Sequence, residues 1–221
     1  MPQIAELLAN NRHWSDAQRA RDPDFFQRLS RQQAPQYLWI GCADSRVPAN
    51  EIVGLPPGEV FVQRNVANVV SHSDLNCLST IQFAVDALKV KHILVVGHYG
   101  CGGVQAVLEQ RRLGLVDNWL RHVGDVLIKH RALVEAADEH SLRHARLCEL
   151  NVIEQVGNVC QTTAVQDAWA RGQTLAVHGW IYGLSDGLVR PLDLRVDALA
   201  DWPAAQQRAL ARLTGASEPA R

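Results

Sequence analysis

An α/β fold built on a mostly parallel sheet is the class this sequence predicts, and three observations predict it. Short apolar runs of strand length recur at "QYLWIG" (36–41), "EVFVQR" (59–64), "HILVVG" (92–97) and "TLAVHGW" (174–180). Each is largely apolar without strict alternation, the pattern of a strand covered on both faces. Helical apolar spacing fills the intervals, and strands separated by helices join through right-handed crossovers into parallel pairs.

Residues 3–20 and 22–31 carry helical spacing, with Pro23 at the start of the second helix. Their apolar faces have no obvious place on a compact sheet, so 1–34 reads as a helical arm, and oligomerisation is expected. The α/β core is expected over 35–200. Its strands 36–41 and 59–64 precede a helix over 74–88, with Asp74 or Ser73 as the N-cap. After strand 92–97 come a helix at 102–110 and long helical stretches at about 116–139 and 143–170. Strand 174–180 follows. The run "LVRPLDLRV" (188–196) contains Pro191, which places it at the sheet edge as an antiparallel strand. The expectation is about four parallel strands plus an edge strand, flanked by helices, with 201–221 a helical tail that frays. A chain of 221 residues suits a single domain of arm, core and tail.

Composition narrows function by exclusion. Apolar residues make up 47% of the chain, charged residues 20%, and the formal net charge is −1. There is no basic surplus to grip nucleic acid or an anionic membrane. No run nears the ~18 apolar residues of a membrane span. Residues 1–26 interleave acids and Asn with apolar positions and lack a small-residue cleavage site, unlike a secretory signal. A cytoplasmic protein is expected. In a reducing compartment five cysteines are too few, and odd in number, for a disulfide framework. Cys77, Cys148 and Cys160 lie in apolar, helix-like surroundings and read as core. Cys42 and Cys101 lie beside glycines and polar residues and need another account.

In open parallel sheets, ligands gather at the carboxyl ends of the strands. The segment "WIGCADSRVP" (39–48) runs off the first strand, and "VVGHYGCGG" (95–103) runs off the third, so both loops open on one rim. His98 and Cys101 stand at i and i+3 in a glycine-rich turn, and Cys42 adds a second thiol. Two thiols and an imidazole suit zinc. Asp44 aims the same way as Cys42 in an extended turn. It is either a fourth ligand closing a structural site, or the partner of Arg46, leaving a position for water in a catalytic one. The spacing also fits a buried Cys42, a capping Asp44 and a locally bonded His98.

The pair "CADSR" and "HYGCGG" resembles the zinc-binding motif of β-class carbonic anhydrases. The resemblance extends through "FVQRNVAN" (61–68), "LNCLSTIQFAVDALKVKHILVVGHYGCGGVQA" (75–106) and "HGWIYGLSDGLV" (178–189), and is nearest to the bacterial branch. It implies one domain of that kind over 1–221, with zinc on Cys42, His98 and Cys101 and a fourth position shared by Asp44 and water. It implies a carbonic anhydrase, reversibly hydrating carbon dioxide to bicarbonate and a proton through zinc-bound hydroxide. Asp44 then leaves the metal to pair with Arg46 in the active arrangement. In the bacterial branch a bicarbonate held beside the site drives Asp44 back onto zinc. The matching positions are Trp39, Arg64 and Tyr182, which implies inhibition by bicarbonate and sensitivity to pH. Family members wrap their N-terminal helices around a neighbour, so a homodimer or homotetramer is expected. Position 83 departs from the pattern: Phe stands where close bacterial relatives are expected to carry Tyr, and Phe83 is assigned apolar packing only.

Two thiolates cancel the ion's charge and make its water less acidic than an all-histidine site would. That favours alkaline conditions unless hydrogen bonds to the sulfurs drain charge back. The amides of Gly102 and Gly103 are candidates for those bonds, and both glycines join Val47 in the expected substrate slot. Phe61 and Val66 fit the slot and the core equally. His13, His72, His92, His122, His130, His140, His144 and His178 give no sign of which, if any, relays protons. Two other functions stay open: hydrolysis of carbon disulfide or carbonyl sulfide on the same scaffold, and a closed zinc that only stabilises a non-catalytic module. A thiol-redox role for Cys42 or Cys101 lacks a CxxC or resolving partner.

Overall fold

The computed structural model describes residues 3–31 and 33–214. Two compact units divide the chain, 1–34 and 35–221.

The first unit holds helices α1 (Ile4–Arg21) and α2 (Phe25–Arg31). Helix α1 starts where the Gln3 amide donates to Glu6 Oε2 at 2.9 Å, satisfying one of the free donors of a helix start. Trp14 and Phe26 meet edge to face with centroids 5.6 Å apart, yet neither helix buries a single residue.

The second unit is a five-stranded sheet in the order β2-β1-β3-β4-β5. Its strands are β1 (Tyr37–Cys42), β2 (Val60–Asn65), β3 (His92–His98), β4 (Ala176–Tyr182) and β5 (Val189–Val196). The first four run parallel, and β5 pairs antiparallel with β4 at the edge. Pro191 is tolerated there because an edge strand leaves one row of amides unpaired. Side chains alternate across the sheet. Leu38, Ile40, Ile93, Val95 and Ile181 enter the larger core, and Trp39, Leu94 and Val96 enter a smaller one on the opposite face.

Helices fill the connections: α3 (Ala49–Ile52), α4 (Leu75–Gln82), α5 (Gly102–Leu108), α6 (Val116–Lys129), α7 (Arg131–Glu135), α8 (His140–Cys160), α9 (Thr163–Ala170) and, after β5, α10 (Trp202–Thr214). Asp74 caps α4, its Oδ1 accepting from Asn76 N at 3.1 Å. The expected helix over 74–88 changes hand-hold partway: Phe83–Ala87 is a π-turn. The two long helical stretches are in fact four helices, and long-range bonds make the breaks. His130 leaves helical geometry at the end of α6 and bonds Glu154 Oε1 at 2.8 Å. Arg146 and Arg143 on α8 reach back to the carbonyls of Leu133 and Ala137, each at 2.7 Å, and hold the α7–α8 bend. Thr162 Oγ1 donates to Val159 O at 2.7 Å, a side-chain bond that competes with helix and ends α8. The frayed end expected of the tail lies outside the described residues. No helix among the described residues is long and apolar enough to cross a membrane.

Candidate metal centre

Because β1 and β3 are parallel neighbours, their carboxyl ends deliver Cys42 and His98 to the same rim. Gly100, with φ 72°, then turns the chain back and sets Cys101 against them. The sulfurs of Cys42 and Cys101 are 3.9 Å apart, and one donor atom from each of Cys42, His98 and Cys101 lies within 4.8 Å of the others. All three residues are buried.

Charge makes this trio unusual. The Cys101 thiol hydrogen-bonds the Cys42 sulfur, which holds Cys42 well below the ordinary thiol range and drives Cys101 far above it. The backbone of Asp44 and that of Ala67 lower the Cys42 thiol further, while the backbone of Val104 opposes the rise at Cys101. His98 Nδ1 lies 2.9 Å from Tyr99 O, so it carries the proton and leaves the Nε2 lone pair free. Nε2 is buried without a partner. Two sulfurs that cannot both ionise alone, beside an orphaned imidazole nitrogen, are a donor set that a divalent zinc satisfies.

Asp44 stands apart from that trio. Its Oδ1 accepts from Arg46 N at 3.0 Å and Arg46 Nε at 2.9 Å, and its Oδ2 accepts from Arg46 Nη2 at 2.7 Å. This fork holds the Asp44 carboxyl well below the usual carboxylate range. Oδ2 is 3.7 Å from His98 Nε2. Of the two roles open to Asp44, the structure adopts the pair with Arg46. Arg46 Nη2 also reaches Gly100 O at 3.5 Å, tying the two metal-bearing loops together.

Comparison with known proteins decides the family. The family model described as "Carbonic anhydrase" matches residues 37–189, which take in β1 to β4 and the loops carrying Cys42, His98 and Cys101. The chain belongs to the β-class carbonic anhydrase family. It is 48% identical over 189 residues to a carbonic anhydrase of Emericella nidulans, covering 86% of this chain and 83% of that one. A carbonic anhydrase of Pseudomonas aeruginosa is 35% identical over 202 residues, 85% of this chain and 88% of that one. The solved Coccomyxa β-carbonic anhydrase, in complex with acetazolamide, superposes with a TM-score of 0.86 at 40% identity, over 98% of this chain and all of that one. A structure from a report of two tetrameric β-carbonic anhydrases of Sordaria macrospora gives 0.83 at 37% identity, over 87% of this chain and 98% of that one. These relatives come from fungi, an alga and a bacterium, so the likeness does not single out the bacterial branch.

The remaining expected site residues fall into two groups. Trp39 is fully buried in the smaller core with Val47, Leu94 and Val96, Tyr182 packs against that cluster, and Trp39 Nε1 has no partner. Arg64 reaches across from β2, donating from Nε to Cys42 O at 2.9 Å and from Nη2 to Asp44 O. Val47 is fully buried in that same cluster. Gly102 faces open space, whereas a Cβ on Gly103 would come within 3.1 Å of Val66 and Leu120. Phe83 is 49% exposed and its ring lies 5.8 Å from that of Phe61.

Helix α8 contributes residues that sequence reasoning passed over. The Tyr99 hydroxyl donates to Glu149 Oε1 at 2.6 Å, and His144 Nε2 lies 3.0 Å from Cys101 O. Asn151 Nδ2 donates to Ala67 O at 2.8 Å. The one available signal was polar residues recurring on the otherwise apolar face of a helix. Cys77, Cys148 and Cys160 are core thiols, and burial pushes each up to about 12.

Proposed function

We propose that the chain catalyses the reversible hydration of carbon dioxide to bicarbonate and a proton, with zinc held by Cys42, His98 and Cys101. The observation that carries this is the buried trio with its orphaned His98 Nε2, set beside a carboxylate already immobilised by Arg46. Zinc bound there supplies a Lewis acid that makes hydroxide available at neutral pH. Asp44 is the acceptor that orients the nucleophile's proton, and Arg46 keeps that acceptor aimed by gripping both its oxygens. A Cβ at Gly102 would meet nothing within 4 Å, which leaves room beside Cys101, while Gly103 packs against Val66 and Leu120. Stopped-flow hydration of carbon dioxide by the zinc-loaded chain tests this, with Cys42→Ser and His98→Ala as controls. Full turnover in those variants, or turnover of carbonyl sulfide or carbon disulfide instead of carbon dioxide, overturns it.

The finer reading adds regulation by bicarbonate at Trp39, Arg64 and Tyr182. Two features support it: the buried Trp39 Nε1 lacks an acceptor, and Arg64 is the residue that braces the carbonyls of Cys42 and Asp44. An anion that drew Arg64 away would loosen the loop carrying Asp44. Trp39→Phe removes the indole N–H and is expected to abolish inhibition by added bicarbonate; inhibition that survives the change removes this reading. The tetrameric Sordaria enzymes and the unburied apolar residues of α1 support assembly as a homodimer or homotetramer.

A further inference from the structure

Both halves of the metal centre lean on α8. One face of that helix presents His144, Cys148, Asn151 and Gln155 at intervals of four, three and four residues, which places them on a single stripe. At the first end of the stripe, His144 Nε2 is 3.0 Å from Cys101 O and 3.7 Å from Cys148 Sγ. With Glu149 on the Tyr99 hydroxyl, the loop bearing Cys101 is fastened to α8 at two residues. At the other end, Asn151 Nδ2 donates to Ala67 O at 2.8 Å, and Gln155 Nε2 holds Asn151 Oδ1 at 3.0 Å. Gln155 Oε1 accepts from Val70 N at 2.8 Å. Ala67 comes two residues after Asn65, which pairs in register with Cys42 across β1 and β2, and the Ala67 backbone lowers the Cys42 thiol. The φ of 64° at Ala67 is a left-handed conformation that a non-glycine residue holds only when its surroundings fix it.

We infer that His144 and Asn151 are positioning residues which set the separation of the two metal-binding sulfurs, one from each end of the α8 stripe. This rests on the reading of the trio as a zinc centre. His144 acts through the main chain of Cys101, and Asn151 through the main chain of Ala67. Zinc–sulfur bonds close at about 2.3 Å, so two ligands drawn from different loops bind well only if the loops are held in register. One rigid helix contacting both loops supplies that register, and it does so before any metal arrives.

The test uses the full chain loaded with zinc. His144→Ala and Asn151→Ala are compared with the parent for the rate at which zinc passes to an excess of chromogenic chelator. Thermal midpoints of zinc-loaded and metal-stripped protein are read in parallel. Each variant is expected to release zinc about 10–100-fold faster, the usual cost of losing an outer partner of a metal ligand, with a narrower gap between the two midpoints. His144→Gln keeps a donor at the Nε2 position and restores slow release; it also serves if His144→Ala does not fold. Thr162→Ala removes the 2.7 Å bond to Val159 O at the far end of α8, away from both sulfurs, and keeps the parental rate. Unchanged release in the alanine variants, with both midpoints falling together, overturns the inference in favour of plain packing. Fast release from His144→Gln or Thr162→Ala overturns it as well. A parent chain that binds no stoichiometric zinc sinks the zinc reading instead.

Discussion

Asp44 shows how a weak interaction by energy becomes strong by geometry. An ion pair with an arginine this exposed adds little to stability. Yet three donors of one residue converge on the carboxylate and fix both of its oxygens. Released, Asp44 needs only a small rotation to reach the donors, since Oδ2 already lies 3.7 Å from His98 Nε2. Arg46→Ala is therefore expected to lower kcat/KM by about 10–100-fold while zinc content stays stoichiometric. Arg46→Lys recovers only part of the loss, because an ammonium cannot grip both oxygens. Stopped-flow assay with metal analysis on the same samples checks both halves, and an Arg46→Ala enzyme of parental activity would dismiss the dyad.

At the level of strands and helices, the far end of the sheet carries a pH response of its own. His92 Nδ1 and His178 Nε2 meet at 3.1 Å where β3 and β4 begin. Burial pushes His178 down to about 4, helped by His92 and by the cation of Arg195 against the opposing pull of Asp197. Burial lowers His92 too, with Arg195 and Lys91 adding to the shift and Asp197 opposing it. A histidine lowered in the fold takes up its proton more readily when unfolded. The stability it contributes is whole above about pH 6.5 and is lost as pH falls towards 4. Discounted for partial exposure, the loss is about 1–2 kcal/mol. Denaturant melts of metal-stripped protein at pH 7.5 and 4.5 should show it, and His178→Gln should flatten the difference. An equal slope in the variant would place the response elsewhere. Those strands were legible because a covered strand is written locally, as a run of apolar residues, and so was the shared rim, because motifs at the ends of parallel neighbours must meet. The helix breaks at His130 and Thr162 were not, because side-chain bonds decide where a regular pattern stops. Asn151 was invisible for the same reason: its partner, Ala67, lies 84 residues away.

For the molecule as a whole, the question is what covers the apolar surface that the chain leaves bare. Within the first unit, α1 exposes Ile4 at 76% and Leu8 at 61%, and it buries nothing. Within the second, β2 is an outermost strand. Val62, Val66 and Phe83 are exposed near it, with Phe83 tilted against Phe61. Single exposed apolar residues mean little, but a cluster along an unpaired strand edge is a docking or aggregation surface. Closing a stable contact takes roughly 800 Å² from each partner. A two-helix unit plus a sheet edge is enough chain to provide it. Sedimentation at micromolar concentration is therefore expected to give a dimer or a larger even assembly. Removing residues 1–34 should shift the distribution towards smaller species. Phe83→Glu, which touches none of Cys42, His98 and Cys101, should weaken assembly while leaving zinc uptake intact, because it puts a charge into the patch and nothing into the metal group. A full-length chain that stays monomeric at high concentration would mean that these surfaces face water by choice, and the arm would need another purpose.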